Sequence, residues 1–444
     1  MEKSFIRKVW RETIKLKLIN RGLSGTVQVI GDKSISHRAI LFSALAEGTS
    51  VIKNLLISED TKASLEIVEQ MGADVKIQDK VSITGQGING LKKPKNELNA
   101  KNSGTTARLL IGLLSKQKFS STLIGSTQLN KRPMNRIANL LVDHGADMKI
   151  KNNFLPINFN PKEYSFSYQN TKVPSAQVKS ALILASLYHN EPTLIEETVP
   201  TRDHTERMLV AMGVDILRLG NTLTVPPTTK LEPLTITIPG DISSASFFIV
   251  LTLLSKNSKL KIKNININPS RTGIITILNA MGAKILFLKK KKYKGEINAD
   301  ILVKSQKNLK AINVSKKINS TAIDEFLLLF LVASVSKGVS TFHGLEELNK
   351  KESKRLDWGF KILKMFGVKT EKIPNYGIKI YGNPKLKLNK KYEIKNFLKD
   401  HRIFMLSVIA ATTLGGNWKI HNPESINTSF PNFNSLIKKL GAKF

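Results

Sequence analysis

Six stretches of the chain are apolar on every side: residues 39–46, 107–114, 181–187, 245–254, 326–335 and 403–413. A helix without a polar face has to be buried all round, so each stretch predicts a helix enclosed by other structure. A second pattern alternates with the first. Residues 60–71 place Leu65, Val68 and Met71 at helical spacing, and the amphipathic helix this predicts ends in Met71-Gly72-Ala73-Asp74. The ending returns as His144-Gly145-Ala146-Asp147, Met212-Gly213-Val214-Asp215, Met281-Gly282-Ala283-Lys284, Phe366-Gly367-Val368-Lys369 and Leu440-Gly441-Ala442-Lys443, with successive glycines 73, 68, 69, 85 and 74 residues apart. Glycine in that place supplies a left-handed helix C-cap, and a strand such as residues 74–77 follows it. So regular a spacing implies one unit used six times: strand, buried helix, strand, amphipathic helix, then one or two strands.

Each apolar helix is preceded by a polar turn, at 34–38, 102–106, 175–179, 241–244, 320–324 and 400–402. The first belongs to Gly31-Asp32-Lys33-Ser34-Ile35-Ser36-His37-Arg38, between the alternating stretch 25–30 and its helix. Gly31 allows a sharp reversal there, and Ser34 or Ser36 can cap the helix. Free backbone N–H groups and the positive end of the helix dipole then face outward beside Lys33 and Arg38, which suits a phosphate or a carboxylate. An ordinary capped helix with solvated basic residues is the better account of this turn taken alone. Six independent caps explain the Ser, Thr and Asp of all six turns, but not Lys33, Arg108, Lys179 and Arg402 beside them. If the helices are co-directed within each half, their positive ends converge on one surface that traps small polyanions.

The turn Ile238-Pro239-Gly240-Asp241 echoes Ile30-Gly31-Asp32, and the two bracket three repeats. This predicts a three-repeat domain, residues 32–240, inserted into a second one made of residues 1–31 and 241–444. Crossover strands lie near 30 and 240, and the cleft between the domains can open and close.

Composition narrows the chemistry. The 444 residues hold no cysteine, which removes disulfides, thiolate nucleophiles and Cys-based zinc sites and fits a reducing cytoplasm. No apolar run approaches the roughly 20 residues of a membrane span. Residues 1–20 are basic and acid-poor and read as a short tail, the alternative being an organellar leader. A net charge of +35 invites a nucleic-acid reading, but the lysines are scattered and the aromatics are not interleaved with them. The chain has 13 Arg against 56 Lys, and most of the Arg fall in the turn-like motifs. Arginine has been kept where planar, two-pronged recognition of oxyanions matters.

With these turns stand Asn102-Ser103-Gly104-Thr105, Lys131-Arg132-Pro133-Met134, Ser175-Ala176-Gln177-Val178-Lys179-Ser180, Thr201-Arg202-Asp203-His204-Thr205-Glu206, Asn268-Pro269-Ser270-Arg271-Thr272-Gly273, Lys351-Glu352-Ser353, Asp400-His401-Arg402 and Thr428-Ser429-Phe430-Pro431. In this order, from about Gly22 to the C-terminus, they resemble the 5-enolpyruvylshikimate-3-phosphate synthases, especially the class II branch. The resemblance implies an α/β fold of two domains, each of three βαβαββ units with buried helices. It also implies transfer of the enolpyruvyl group of phosphoenolpyruvate to the 5-hydroxyl of shikimate 3-phosphate with release of phosphate, without metal or organic cofactor. The expected partners are these two small molecules, with no nucleic acid and no membrane, and the expected state is a monomer.

Both substrates are phosphorylated carboxylates, so their site needs several cations and oriented donors. Addition across the enol double bond needs a base for the hydroxyl and an acid for the methylene carbon, and elimination reverses both transfers. By the resemblance, Asp324 is the base at the hydroxyl and Glu352 the acid and base at the methylene carbon. Lys33 touches both substrates. Arg132, Arg355 and Arg402 clamp phosphoenolpyruvate beside Gly104, and Gln177 bridges the two ligands. Ser34, Arg38, Ser175, Ala176, Arg202 and Lys351 hold shikimate 3-phosphate with Asp324.

A Glu between Lys351 and Arg355 ionises easily, so partial burial would have to compensate if Glu352 is to donate a proton. Departures from the family pattern are Lys354, where an Asp is common and where the charge beside Glu352 is reversed, Leu327 in place of a common Pro, and Thr428 where class I members carry a Lys. Gly104 matches the form that admits glyphosate, which implies competition with phosphoenolpyruvate. The sister transferase acting on a UDP-sugar shares the fold but usually employs a cysteine. An RNA-binding protein built from related repeats would use the charge, but lacks stacking aromatics here.

Overall fold

A computed structural model describes residues 13–16, 18–19 and 22–443. Most of the tail expected over residues 1–20 lies outside the described residues, but Thr13–Leu16 corrects that reading: it is a strand, paired antiparallel with Gly415–His421. Among the described residues no helix is long and apolar enough to cross a membrane.

The six apolar stretches are the helices Lys33–Leu45, Gly104–Leu114, Ala176–Ser186, Ile242–Leu254, Phe326–Ser334 and His401–Leu414. The amphipathic helices alternate with them as Glu59–Gln70, Asn135–Val142, His204–Ala211, Gly273–Ala280, Arg355–Met365 and Phe433–Lys439. The repeated Gly-Ala or Gly-Val signature has one physical cause in all six. Each glycine takes a positive φ, and the N–H of the next residue reaches back five positions, from Ala73 to Val68, Ala146 to Leu141, Val214 to Leu209, Ala283 to Leu278, Val368 to Leu363 and Ala442 to Ile437. That is a Schellman closure. The small apolar residue after the glycine is buried each time, so the signature both ends the helix and seals the core under it.

Strands pair into five four-stranded sheets and one three-stranded sheet among the described residues. Two pairings exchange elements along the chain. Thr235–Thr237 lies parallel to Glu47–Lys53, and Ser24–Val27 lies parallel to Lys259–Asn266. Buried apolar side chains form two clusters, one drawn from residues 35–238 and the other from residues 14–29 and 242–442.

The two echoing turns lie side by side. Gly31 and Gly240 form an antiparallel bridge, with Asp32 N–H donating to Pro239 C=O at 2.8 Å and Asp241 N–H to Ile30 C=O at 3.0 Å. Gly31 does not make the reversal expected of it, for its φ is not in the left-handed region. It is needed for close approach, because a Cβ there would sit 2.1 Å from the Asn54 carbonyl oxygen. The cap differs too. Asp32, not Ser34 or Ser36, caps the first helix by accepting from Ile35 N–H at 2.9 Å, while Ser36 accepts from Leu56 N–H at 3.1 Å.

Candidate active site

All six buried helices begin at one cleft of about 1190 Å³. Its wall includes Lys33, Ser34, Gly104, Thr105, Ala176, Gln177, Asp241, Ser243, Asp324, His401 and Arg402. Arg38, Arg108, Arg132, Arg136, Arg202, Arg271, Arg355 and Arg402 also line it, so most of the scarce arginine is spent here. Every residue carried over from the family resemblance lies on this wall, Ser175 and Lys351 included. Two expectations about the turns need correction. Lys179 is fully buried away from the cleft between Glu197 at 3.1 Å and Glu206 at 2.7 Å, since a long cation beside two carboxylates is better paired than solvated. The fifth helix, Phe326–Ser334, has no side-chain cap and is led in by the short helix Asn319–Ala322.

Lys33 opens the first helix with its backbone N–H donated to the Asp241 carboxylate at 3.2 Å and its ammonium against Asp60 at 2.7 Å. Across the cleft, Asp324 meets Arg202 at 2.6 Å, Arg355 at 3.2 Å, Lys351 at 3.5 Å and Arg402 at 3.9 Å. Burial pushes the Asp324 carboxyl upward, but Lys351, Arg402, Arg202 and Arg355 outweigh it and hold the group well below the ordinary carboxylate range. Arg355 is buried and links the acidic groups, donating to Asp400 at 2.9 Å, to Asp324 at 3.2 Å and to Glu352 at 2.5 Å.

Glu352 ionises, as a Glu between Lys351 and Arg355 was expected to, and burial does not compensate. Burial does raise its carboxyl, but Arg355, Arg132 and Lys33 hold it well below the usual range, so it is a carboxylate. Lys354 takes no part in this. It is exposed at the start of Arg355–Met365, and Asn349 does the capping instead, accepting from Leu356 N–H at 2.9 Å. The reversed charge at 354 therefore faces water and not Glu352. Leu327 is buried in the core, and Thr428 donates its hydroxyl to Ser425 C=O at 2.9 Å behind the cleft.

Arg108 is among the cleft residues absent from the site drawn from the family resemblance. Arg108 donates to Gln177 Oε1 at 2.8 Å, while Gln177 Nε2 donates to Thr105 at 3.0 Å. Burial pushes the Arg108 guanidinium down to about 9, and it still carries charge at neutral pH. Its place beside a polar turn was the available signal. Arg38 lines the wall, but it is committed to Thr205 at 2.6 Å and Ser180 at 2.7 Å. At the mouth, Arg136 pairs with Glu347 at 3.0 Å, joining the two halves of the chain across the opening.

Three histidines give the protein an acid sensitivity. Burial, reinforced by Lys33 or Lys116, holds His37 well below its ordinary value, His189 at about 4 and His401 at about 3. They are neutral when folded and protonate near pH 6.5 when unfolded, so their contribution is full above about pH 6.5 and drains away as pH falls. At pH 5 the loss for His189 and His401 is about 2 kcal/mol each. Thermal melts are expected to show Tm dropping steadily from about pH 7 to about pH 5, and a flat Tm would contradict buried neutral imidazoles.

A family profile described as EPSP synthase (3-phosphoshikimate 1-carboxyvinyltransferase) matches residues 19–437. A 3-phosphoshikimate 1-carboxyvinyltransferase of Petrotoga mobilis is 41% identical over 424 residues, covering 94% of this chain and 97% of that protein. The one from Bacillus anthracis is 38% identical over 425 residues, covering 95% and 98%. The solved EPSP synthase of Acinetobacter baumannii superposes with a TM-score of 0.86 at 36% identity over 97% of this chain and 98% of its own. The enolpyruvyl transferase NikO from Streptomyces tendae, at 14% identity and a TM-score of 0.75 over 97% and 98%, shares the fold. With its repeats, its arginine-lined cleft and these relatives in agreement along nearly the whole length, the chain belongs to the EPSP synthase family, the 3-phosphoshikimate 1-carboxyvinyltransferases.

Proposed function

We propose that the cleft carries out the family's reaction, transfer of the enolpyruvyl group of phosphoenolpyruvate to the 5-hydroxyl of shikimate 3-phosphate, with the residues in the following roles. One observation carries the assignment: Arg355 holds two ionised carboxylates, Asp324 at 3.2 Å and Glu352 at 2.5 Å, inside a wall of cations. Asp324 accepts the proton of the 5-hydroxyl as its oxygen bonds to C2 of phosphoenolpyruvate. The methylene carbon takes a proton from Glu352, giving a tetrahedral intermediate with a methyl group. Elimination returns a methyl proton to Glu352 as the C2–O bond to phosphate breaks, and the proton held by Asp324 passes to the departing phosphate.

Glu352 must first be protonated. The phosphate and carboxylate of phosphoenolpyruvate, docked on Arg132, Arg355 and Arg402, draw those cations away from Glu352 and raise its proton affinity. Lys33 touches both substrates, and Gln177, held by Arg108, bridges them. Ser34, Arg38, Ser175, Ala176, Arg202 and Lys351 surround shikimate 3-phosphate. The units that close on the substrates are residues 32–240 and residues 1–31 with 241–444. The chain is proposed to act as a monomer, since one copy supplies every group named.

The deciding assay is phosphate release from shikimate 3-phosphate and phosphoenolpyruvate by the purified protein. Release only with a UDP-sugar acceptor would reverse the assignment. Gly104 gives a finer test, with glyphosate proposed to compete with phosphoenolpyruvate. A Cβ on Gly104 would lie 2.9 to 3.0 Å from the Arg132 guanidinium atoms. Gly104→Ala therefore displaces one arm of the clamp. The expected result is a KM for phosphoenolpyruvate raised about tenfold, weaker inhibition by glyphosate, and an unchanged KM for shikimate 3-phosphate.

A further inference from the structure

The motif Asn268-Pro269-Ser270-Arg271-Thr272-Gly273 supplies none of the substrate contacts above, yet Arg271 is only 2% exposed. It lies where the two chain crossings meet. One terminal nitrogen donates to the Asp32 carboxylate at 3.1 Å, and the other to Asp241 at 3.1 Å and Ser243 Oγ at 2.9 Å. Both aspartates are also helix caps, Asp32 accepting from Ile35 N–H at 2.9 Å and Asp241 from Ser243 N–H at 2.7 Å. Asp241 accepts the Lys33 N–H as well, at 3.2 Å. A single planar guanidinium thus joins the first buried helix of each half of the molecule and fixes the turn from which Lys33 reaches the cleft.

The same motif grips the other wall. Arg271 donates to His204 Nε2 at 3.3 Å, which assigns the proton to Nδ1 and makes it the donor to Glu296 at 2.6 Å. Asn268 donates to Asp203 at 2.6 Å and to Glu296 at 3.2 Å. Residues 203 and 204 directly follow Arg202, whose guanidinium reaches Asp324 at 2.6 Å. Burial opposes the charge on Arg271, but Asp32 and Asp241 outweigh it and raise its proton affinity, so the guanidinium stays charged. A purely local ion pair needs one carboxylate. This arginine holds two caps, a hydroxyl and an imidazole drawn from both halves of the chain.

We propose that Arg271 is a positioning residue for the transfer, locking the two crossings together so that Lys33 and Arg202 are set against the substrates at closure. The proposal rests on the roles given above to Lys33 and Arg202. Arg271→Lys keeps the positive charge between the aspartates but cannot span both of them in a fixed plane.

Phosphate release is measured for the wild type and for Arg271→Lys. An inactive wild type overturns the proposed function itself, whereas an active wild type with an unaffected variant overturns only the role of Arg271. The expected result is a kcat lowered at least about tenfold with both KM values within about threefold, because the binding groups remain and their mutual placement is lost. A lower Tm with unchanged kcat, assayed well below that Tm, marks the arginine as structural alone and overturns the proposal. If Arg271→Lys is not recovered folded, Asn268→Ala decides, since it removes the bonds to Asp203 and Glu296 and leaves Arg271 in place. Lower kcat at unchanged KM then supports the lock, and wild-type kcat refutes it.

Discussion

Lys33→Ala is expected to give a folded protein whose kcat is lowered by about a thousandfold, the loss associated with removing a charged group that stabilises the transition state in a closed site. The fold does not depend on this side chain. Asp32 caps the helix, and the Lys33 backbone N–H still reaches Asp241 when the side chain is cut to a methyl group. The loss is larger than one missing cation suggests. Asp60, 2.7 Å from the Lys33 ammonium, becomes an unpaired carboxylate on the wall of a site built for anions. It then repels both substrates as they arrive and the charge that builds on phosphate as it leaves. Steady-state kinetics with each substrate varied should show kcat and both KM values worsening at an unchanged Tm. A kcat within tenfold of wild type would remove Lys33 from the chemistry.

Asp324→Asn is expected to lower kcat by about 10³ to 10⁴-fold, with KM for shikimate 3-phosphate changed by less than about threefold. The amide fills the same space and can still accept from Arg202, so binding survives while the proton acceptor is lost. A neutral group also leaves Lys351, Arg402, Arg202 and Arg355 without their shared counter-charge, which favours an anionic ligand rather than opposing it. The pH profile separates the base from a mere binding group. Asp324 is held ionised well below the ordinary range by those cations against the pull of burial, so it contributes no acid limb to the wild-type rate above about pH 5. The defect of the variant is therefore uniform from about pH 5 to about pH 9. Recovery of rate at the alkaline end would point to another base.

The repeat was legible because its signals are local. An all-apolar helix, a C-terminal glycine and the buried Ala or Val after it, as at Gly72 and Ala73, repeat at the spacing the helices need. Arginine economy pointed to the anion site in the same way, since a lysine-rich chain retains Arg only where a fork of donors is required. Gly31 was legible as important but not for the reason the sequence suggested. Its constraint is the Asn54 carbonyl beside it, 23 positions further along the chain, which local pattern does not contain.

By itself, then, the sequence determined the six-fold unit and the polar turns at the helix starts, because propensity, periodicity and charge act within a few residues, while the groups that gather in the cleft were named by the family resemblance its motifs carry. The tertiary structure alone decided which charges are sealed in the core and which face the cleft. Lys179 looks like Lys33 along the chain, yet Lys179 is sealed between two glutamates, whereas Lys33 meets Asp60 on the cleft wall. Glu352 ionises and Lys354 leaves it unaffected, because proximity in space and access to water set a proton affinity and sequence adjacency does not. Arg271 makes the same point, for it joins residues 32, 204 and 241, which only folding brings together.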